Sequence, residues 1–220
     1  MEHHLAVART ARYQQLGEPS AATRQLWLVA HGYGQLAEYF VRHFQSVHAL
    51  DPAGTVVVAP EALSRFYLSG TGGRVGASWM TSADRLAEIA DQATYLDALL
   101  AHLLPACPLD VHVTVLGFSQ GTATVSRWLA TTAARWRPHR LVLWAGDFPA
   151  DIDPAAAQLL LHNLPLVLVS GEQDSYVGSA KLQAQAETLG AYGAQITMHT
   201  FAGDHTLHPP ILRQLHAASA

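Results

Sequence analysis

In V-L-G-F-S-Q-G, residues 115–121, a serine stands between two glycines, with an apolar run before it and a helical stretch after it. That arrangement makes Ser119 a candidate nucleophile. A sharp strand-to-helix turn would lift its hydroxyl above a sheet edge, and small neighbours two positions away let the two backbones pass closely. The plainer alternative is a small residue in a tight connection. A serine hydroxyl is weakly nucleophilic unless a base takes its proton and a third group orients that base. Two later segments offer these partners. The apolar run 166–170 leads into Gly171-Glu172-Gln173-Asp174, and the run 195–201 leads into Ala202-Gly203-Asp204-His205. Asp174 follows Ser119 by 174 − 119 = 55 residues, and His205 follows Asp174 by 205 − 174 = 31, each room for one or two strand–helix units. Glu172 competes with Asp174 as the acid, and His208 competes with His205 as the base. Asp204 reads as turn-shaping, and His199 and His216 as structural.

A developing oxyanion needs aimed donors, and backbone amides suit because they are fixed dipoles with no proton to lose. The amide of Gln120, just after the serine, is one candidate. The other is the amide of Tyr33 in L-W-L-V-A-H-G-Y-G, residues 26–34, where a strand ends in His-Gly. His31 reads as a brace for that loop, with a second base as the alternative. A glycine-rich segment, E-A-L-S-R-F-Y-L-S-G-T-G-G-R-V-G-A-S-W-M, covers residues 61–80 with little periodicity. Its Phe66, Tyr67, Trp79 and Met80 are candidates for a substrate pocket; for Trp79 a core position is an equal alternative. Arg65 and Arg74 could meet an acidic group, although exposed arginines seldom do anything so specific.

The elements that must position these residues follow from the hydropathy pattern. Val- and Leu-rich runs at 25–30, 55–59, 111–118, 140–145, 166–170 and 195–201 read as strands buried on both faces of a parallel sheet. Amphipathic stretches at 34–48, 83–104, 121–135 and 179–190 read as helices, with a last short one at 210–217. The alternation predicts an α/β fold: a doubly wound, mostly parallel sheet with helices on both faces and no large cap. Residues 4–15 could add one or two antiparallel edge strands. Without a repeat or linker, residues 1–220 read as one domain, with 61–80 as an insertion that binds substrate. Trp128 and Trp136 read either as a dimer face or as helix packing, so oligomeric state stays open, a homodimer included.

Composition excludes other classes. Hydrophobic residues make up 50% of the chain and charged ones 14%, with a formal net charge of −4 and no Lys/Arg run, which argues against nucleic acid as a partner. No run is long enough for a membrane span and the N-terminus shows no signal-peptide pattern. The single cysteine, Cys107, fits a reducing compartment, so a cytoplasmic setting is expected. His205 and His208 are the only histidine pair at suggestive spacing near the candidate site, and nothing completes a metal site; no cofactor is expected.

Taken together, H-G-Y-G (31–34), A-P-E-A (59–62), G-F-S-Q-G (117–121), Gly171…Asp174 and G-D-H (203–205) resemble the phospholipase/carboxylesterase branch of the α/β-hydrolase superfamily, which includes acyl-protein thioesterases. The similarity spans roughly residues 25–210, and Gln after the serine is its most specific mark. The resemblance implies a triad of Ser119, Asp174 and His205 with Tyr33 and Gln120 as oxyanion amides. It implies a hydrolase of small carboxylic esters or thioesters. Residues 61–80 depart from the usual composition there, which bears on substrate choice. A scaffold that binds a small molecule without turnover is the alternative from another class.

Overall fold

A computed structural model describes residues 1, 3–133 and 135–218. In chain order the elements are β1 (Tyr13–Leu16), β2 (Gln25–Ala30), α1 (Ala37–Phe40), α2 (Gln45–His48), β3 (Thr55–Pro60), β4 (Ser64–Tyr67), β5 (Val75–Ser78), α3 (Arg85–Leu103), β6 (His112–Phe118), α4 (Gln120–Thr132), β7 (Arg140–Trp144), α5 (Pro154–Leu161), β8 (Pro165–Gly171), α6 (Ser179–Ala191), β9 (Gln195–Phe201) and α7 (Pro209–Ala217). The main sheet has seven strands in the order β1-β3-β2-β6-β7-β8-β9. Only β1 runs antiparallel, against β3. The other pairings are parallel. This is the doubly wound, mostly parallel sheet that the alternating pattern predicts.

Alternation along each strand builds two cores. Leu26, Leu28 and Ala30 of β2 face one way, with Val113 and Val115 of β6, toward Leu96 and Leu100 of α3 and Val125 and Leu129 of α4. Trp27 and Val29 face the other way, toward Phe40, Phe44 and Val47 of the 37–48 segment and Leu212 and Leu215 of α7. Strands β2 and β3 are therefore buried along their whole length. Burying one such aliphatic side chain is worth about 1.5–3 kcal/mol, so these central strands dominate the stability. The outer strand β9 differs from the expectation of burial on both faces: most of its residues are exposed or half-buried, because it is an edge.

Other departures have local causes. The stretch 34–48 is two four-residue helices joined by a 3₁₀ turn at Val41–Phe44, not one helix. Residues 61–80 hold a small antiparallel hairpin, β4 with β5, in a sheet of their own. Helix α5 was not foreseen in the pattern; Asp153 caps it, accepting from the amides of Ala155 and Ala156 at 3.0 Å each. Trp128 is fully buried rather than a surface residue. Its ring stacks on Trp136 with centroids 6.1 Å apart, and its indole N–H donates to Asp97 of α3 at 2.7 Å. Both tryptophans thus belong to the α3–α4 contact.

The sheet order places one crevice above all others. The chain leaves β2 for β3 on one side and reaches β6 on the other, so the strand order reverses between β2 and β6. Ligands in open α/β sheets bind outside the carboxyl ends of strands at such a point. There Ala30 pairs with Gly117, which brings His31-Gly32-Tyr33 beside Ser119.

Candidate active site

Ser119 stands between the last residue of β6 and the first of α4 with φ 54° and ψ −119°, a backbone region that costs a non-glycine residue about 1–3 kcal/mol. The strain is held from both sides. The Ser119 amide donates to the Trp144 carbonyl at 2.8 Å. The Ser119 carbonyl accepts from the Thr122 hydroxyl at 2.7 Å and the Thr122 amide at 3.0 Å. Both flanking glycines are required by close approach. A Cβ on Gly117 would lie 2.5 Å from the Gly121 carbonyl oxygen, and one on Gly121 would lie 2.3 Å from that of Ala30. Small residues at those positions are what G-x-S-x-G demands.

Asp174 and His205 come from the loops after β8 and β9, and those loops are tied together. The amide of Glu172 donates to Phe201 and that of Gln173 to Gly203, each at 2.9 Å, while the Trp144 indole N–H holds the Thr206 carbonyl at 2.9 Å. His205 Nδ1 and Asp174 Oδ2 are 2.8 Å apart, with the Asp174 side chain wholly buried. Asp174 Oδ1 accepts from the amides of Tyr176 at 2.8 Å and Val177 at 3.1 Å. Burial pushes that carboxyl's pKa up, but the amide bonds and His205 outweigh it, so the net shift is downward and Asp174 is ionised at neutral pH. An ionised acceptor fixes the His205 proton on Nδ1 and leaves Nε2 as the basic nitrogen. The imidazole is flanked by Phe118 and Tyr176, with ring centroids 5.0 and 4.8 Å away. Phe118 adjoins Ser119, so His205 and the serine share one edge of the sheet. Among the described residues the Ser119 hydroxyl makes no hydrogen bond, to His205 or otherwise; catalytic hydrogen bonds are often long or poorly aligned without substrate. The rival residues lie elsewhere. Glu172 and Asp204 are exposed, His208 stacks on Phe201 at 4.7 Å, and buried His216 bonds the Thr55 hydroxyl at 2.8 Å.

The two candidate oxyanion amides stand out by what their neighbours do. The Gly32 amide donates to Gln35 Oε1 at 2.7 Å and the Gly34 amide to Ala77 at 2.8 Å. Between them, the Tyr33 amide has no acceptor among the described residues. The Gln120 amide opens α4, where the first N–H groups have no partner within the helix. His31 is a brace. Its Nδ1 is 2.7 Å from the Gly32 carbonyl and its Nε2 accepts the Ala62 amide at 3.1 Å. Burial drives its pKa from the ordinary 6.5 to about 4, against the raising effects of Gly32 and Glu61, so it is neutral. The A-P-E-A segment completes the support. Buried Glu61 takes Arg12 in a paired contact at 2.5 and 3.0 Å and also accepts the Ala37 amide at 3.3 Å.

A cleft of about 970 Å³ opens on Ser119 and is walled by residues after β7 and β8, among them Phe148, Ile152, Tyr176 and Leu189. Phe66, Tyr67, Trp79 and Met80 do not line it. Trp79 is fully buried in the larger core, its indole N–H on the His31 carbonyl at 2.8 Å. Phe66 packs its ring on Tyr33 at 5.2 Å, and Tyr67 is half-exposed on the hairpin. Residues 61–80 pack against the 31–35 loop, and the cleft wall comes from 145–152 and 176–192. The signal that marks this wall is Asp153-Pro154, a helix start that makes 145–152 a loop at the carboxyl end of a strand. The cleft lining carries three cations against two carboxylates. Asp151 meets Arg85 and Arg127, the latter at 2.8 Å, which hold its pKa down at about 2. Lys181 meets Asp147 at 2.6 Å.

Gln120 has a second role. Its side-chain oxygen accepts the Trp79 amide at 3.0 Å, and its nitrogen donates to the Met80 carbonyl at 2.8 Å and the Ser78 hydroxyl at 3.2 Å. The residue after the serine thus pins the end of the hairpin segment to the first turn of α4. Among the described residues no group of three His, Cys, Asp or Glu could hold a metal, and no helix is long and apolar enough to cross a membrane.

The sequence profile of the phospholipase/carboxylesterase family matches residues 12–217. No curated protein matches the chain. Solved structures with the same fold include esterase PE8, at 22% identity over 96% of this chain and 98% of that one, TM-score 0.69. Acyl-protein thioesterase 2 from Zea mays matches at 21% identity over 96% and 100%, TM-score 0.68. A carboxylesterase from Mesorhizobium loti matches at 20% identity over 94% of each chain, TM-score 0.69.

Proposed function

Because the chain belongs to the phospholipase/carboxylesterase family and is a hydrolase, we propose that it cleaves small carboxylic esters or thioesters through an acyl-enzyme on Ser119, with His205 as base and Asp174 as orienter. The observation that carries this is the 2.8 Å contact of His205 with an ionised, buried Asp174 at the sheet edge that presents Ser119 on its strained turn. Ser119 Oγ attacks the acyl carbon as its proton passes to His205 Nε2. Asp174 stabilises the imidazolium, and the Tyr33 and Gln120 amides take the oxyanion. Collapse expels the alcohol or thiol, which receives the proton from His205. Water then repeats the sequence in reverse and frees the acid. A positioned base contributes about 10²–10⁴-fold. Each oxyanion donor contributes about 10²–10³-fold.

The cleft supports a substrate with an apolar portion of moderate size, since its wall is largely aliphatic and aromatic. Thioesters belong in the proposal because one structural neighbour is an acyl-protein thioesterase. The single cysteine favours a reducing, cytoplasmic setting. A fluorophosphonate probe should label the wild-type protein and leave Ser119→Ala unlabelled. A folded wild type that takes no label would overturn the proposal.

A further inference from the structure

At the opposite end of the sheet from Ser119, the amino ends of β6 to β9 and the last turn of α7 enclose a cavity of about 350 Å³. Arg140, His112, His139, His199, Gln195 and Gln214 line it, and among the described residues no Asp or Glu does. The register explains the convergence. Thr114, two residues beyond His112, pairs with Arg140, and Val169 pairs with His199, so His112, Arg140 and His199 rise from one face of the sheet, the face that α7 packs on.

Arg140 is only 6% exposed. Its Nη1 donates to the Leu215 carbonyl at 2.8 Å and its Nη2 to the Thr114 hydroxyl at 3.0 Å, and its guanidinium lies 5.4 Å from the Trp27 ring centre. Its Nε is buried with no partner, and no carboxylate pairs with it among the described residues. Burial lowers its pKa to about 10, which leaves a full cation at neutral pH. A buried cation without a counter-charge is costly, and in proteins such charges are normally paired or bound to a ligand. Beside it, His112 Nδ1 is also buried and unpartnered. The His112 and His139 rings lie 5.0 Å apart. His139 Nδ1 accepts the Val113 amide at 3.0 Å, so its proton sits on Nε2 and is available to donate. Among the described residues, the lining therefore offers one fixed positive charge and several N–H donors without a negative charge. A cation would be repelled by Arg140. This set of groups suits an anion with several acceptor oxygens.

We infer that this cavity is a binding site for a small tetrahedral oxyanion, phosphate either free or as a compact phosphomonoester, held by Arg140 with His112 and His139 and separate from the cleft at Ser119. A tetrahedral anion brings several acceptor oxygens to the guanidinium and imidazole N–H groups of the lining, which a halide cannot. The volume is several times that of a phosphate, so a small alcohol portion fits beside it. Occupancy would also tie the amino ends of β6 and β7 to the C-terminal end of α7.

Titration calorimetry with inorganic phosphate and, in a second arm, ethyl phosphate tests this, at constant ionic strength set with chloride. Paired with it, ¹⁵N spectra of the histidine side chains report where the anion sits. We expect one saturable site, at least tenfold weaker in Arg140→Met and in His112→Phe, with resonances of His112 and His139 moving and that of His205 still. Tighter ethyl phosphate binding would assign the site to a phosphomonoester, and tighter inorganic phosphate to the free ion. His112→Phe keeps a ring against His139, so it serves if Arg140→Met does not fold. No saturation, equal affinity in wild type and His112→Phe, or movement confined to His205 would each overturn the inference.

Discussion

Asp174 is buried and yet ionised, because three donors face it: the His205 ring and the amides of Tyr176 and Val177. Asp174→Asn should keep the loop but leave the imidazole without its orienter. We expect kcat/KM for a p-nitrophenyl ester to fall about 10³–10⁴-fold. The same carboxylate gives a pH signature. Its folded pKa lies below the ordinary 3.8, so it contributes stability that is present above that value and is lost as pH falls through the folded pKa. Urea midpoints of wild type and Asp174→Asn should differ by a constant amount from about pH 5 to 7 and converge below about 3.8. Ser119, Asp174 and His205 were legible in the sequence because a doubly wound sheet sends the ends of successive parallel strands to one edge. The side-chain roles of Gln120 and Glu61 were not, because their partners lie far away in the chain: residues 78–80 for one and Arg12 for the other.

The oxyanion loop after β2 shows how elements cooperate. Gln35 and Ala77 take the amides of Gly32 and Gly34 on either side, and among the described residues that of Tyr33 has no acceptor. His31 makes this support pH-dependent. The unfolded chain takes up its proton near 6.5 and the folded chain only near 4, so in that window the unfolded state holds more protons. Stability from His31 is full above 6.5 and falls as pH drops toward 4, by on the order of 3 kcal/mol for so buried a group. His31→Asn should flatten that part of the curve when urea midpoints are compared across this range. Gln120→Ala keeps the amide but removes the ties to Ser78, Trp79 and Met80. It should cost about 1–3 kcal/mol by urea unfolding. Elements escaped the sequence where periodicity carries no distinction. Phe40, Val41, Phe44 and Val47 keep helical spacing through a 3₁₀ turn, so the break in 34–48 does not show. The hairpin β4–β5 sits outside the main sheet and is glycine-rich, and helix α5 is too apolar all round to show a face.

Across the whole molecule, the two ends of the sheet do different work. The carboxyl end carries the candidate active site, while the amino end carries the buried Arg140. The sheet and its order were readable because β2, β3, β6, β7 and β8 are covered on both faces and their runs are continuously apolar. The cleft was not, because a groove belongs to the gap between segments distant in sequence, here 145–152 and 176–192. Its position is testable through chain-length preference. Ile152→Trp should lower kcat/KM for octanoate relative to acetate p-nitrophenyl esters at least tenfold, in keeping with the loss of several buried methylenes. Phe66→Ala and Tyr67→Ala should leave that ratio unchanged. A shifted ratio in the hairpin variants and not in Ile152→Trp would move the pocket back to residues 61–80.

The central claim is a covalent acyl group on Ser119, delivered with the help of His205. Acid-quenching the protein within milliseconds of mixing with a p-nitrophenyl ester, then mapping its peptides by mass spectrometry, tests this directly. One acyl group on the peptide containing Ser119 is predicted in wild type, with none in Ser119→Ala and far less in His205→Ala. Turnover of the ester by wild type without any acyl group on Ser119, or undiminished turnover by Ser119→Ala, would contradict it.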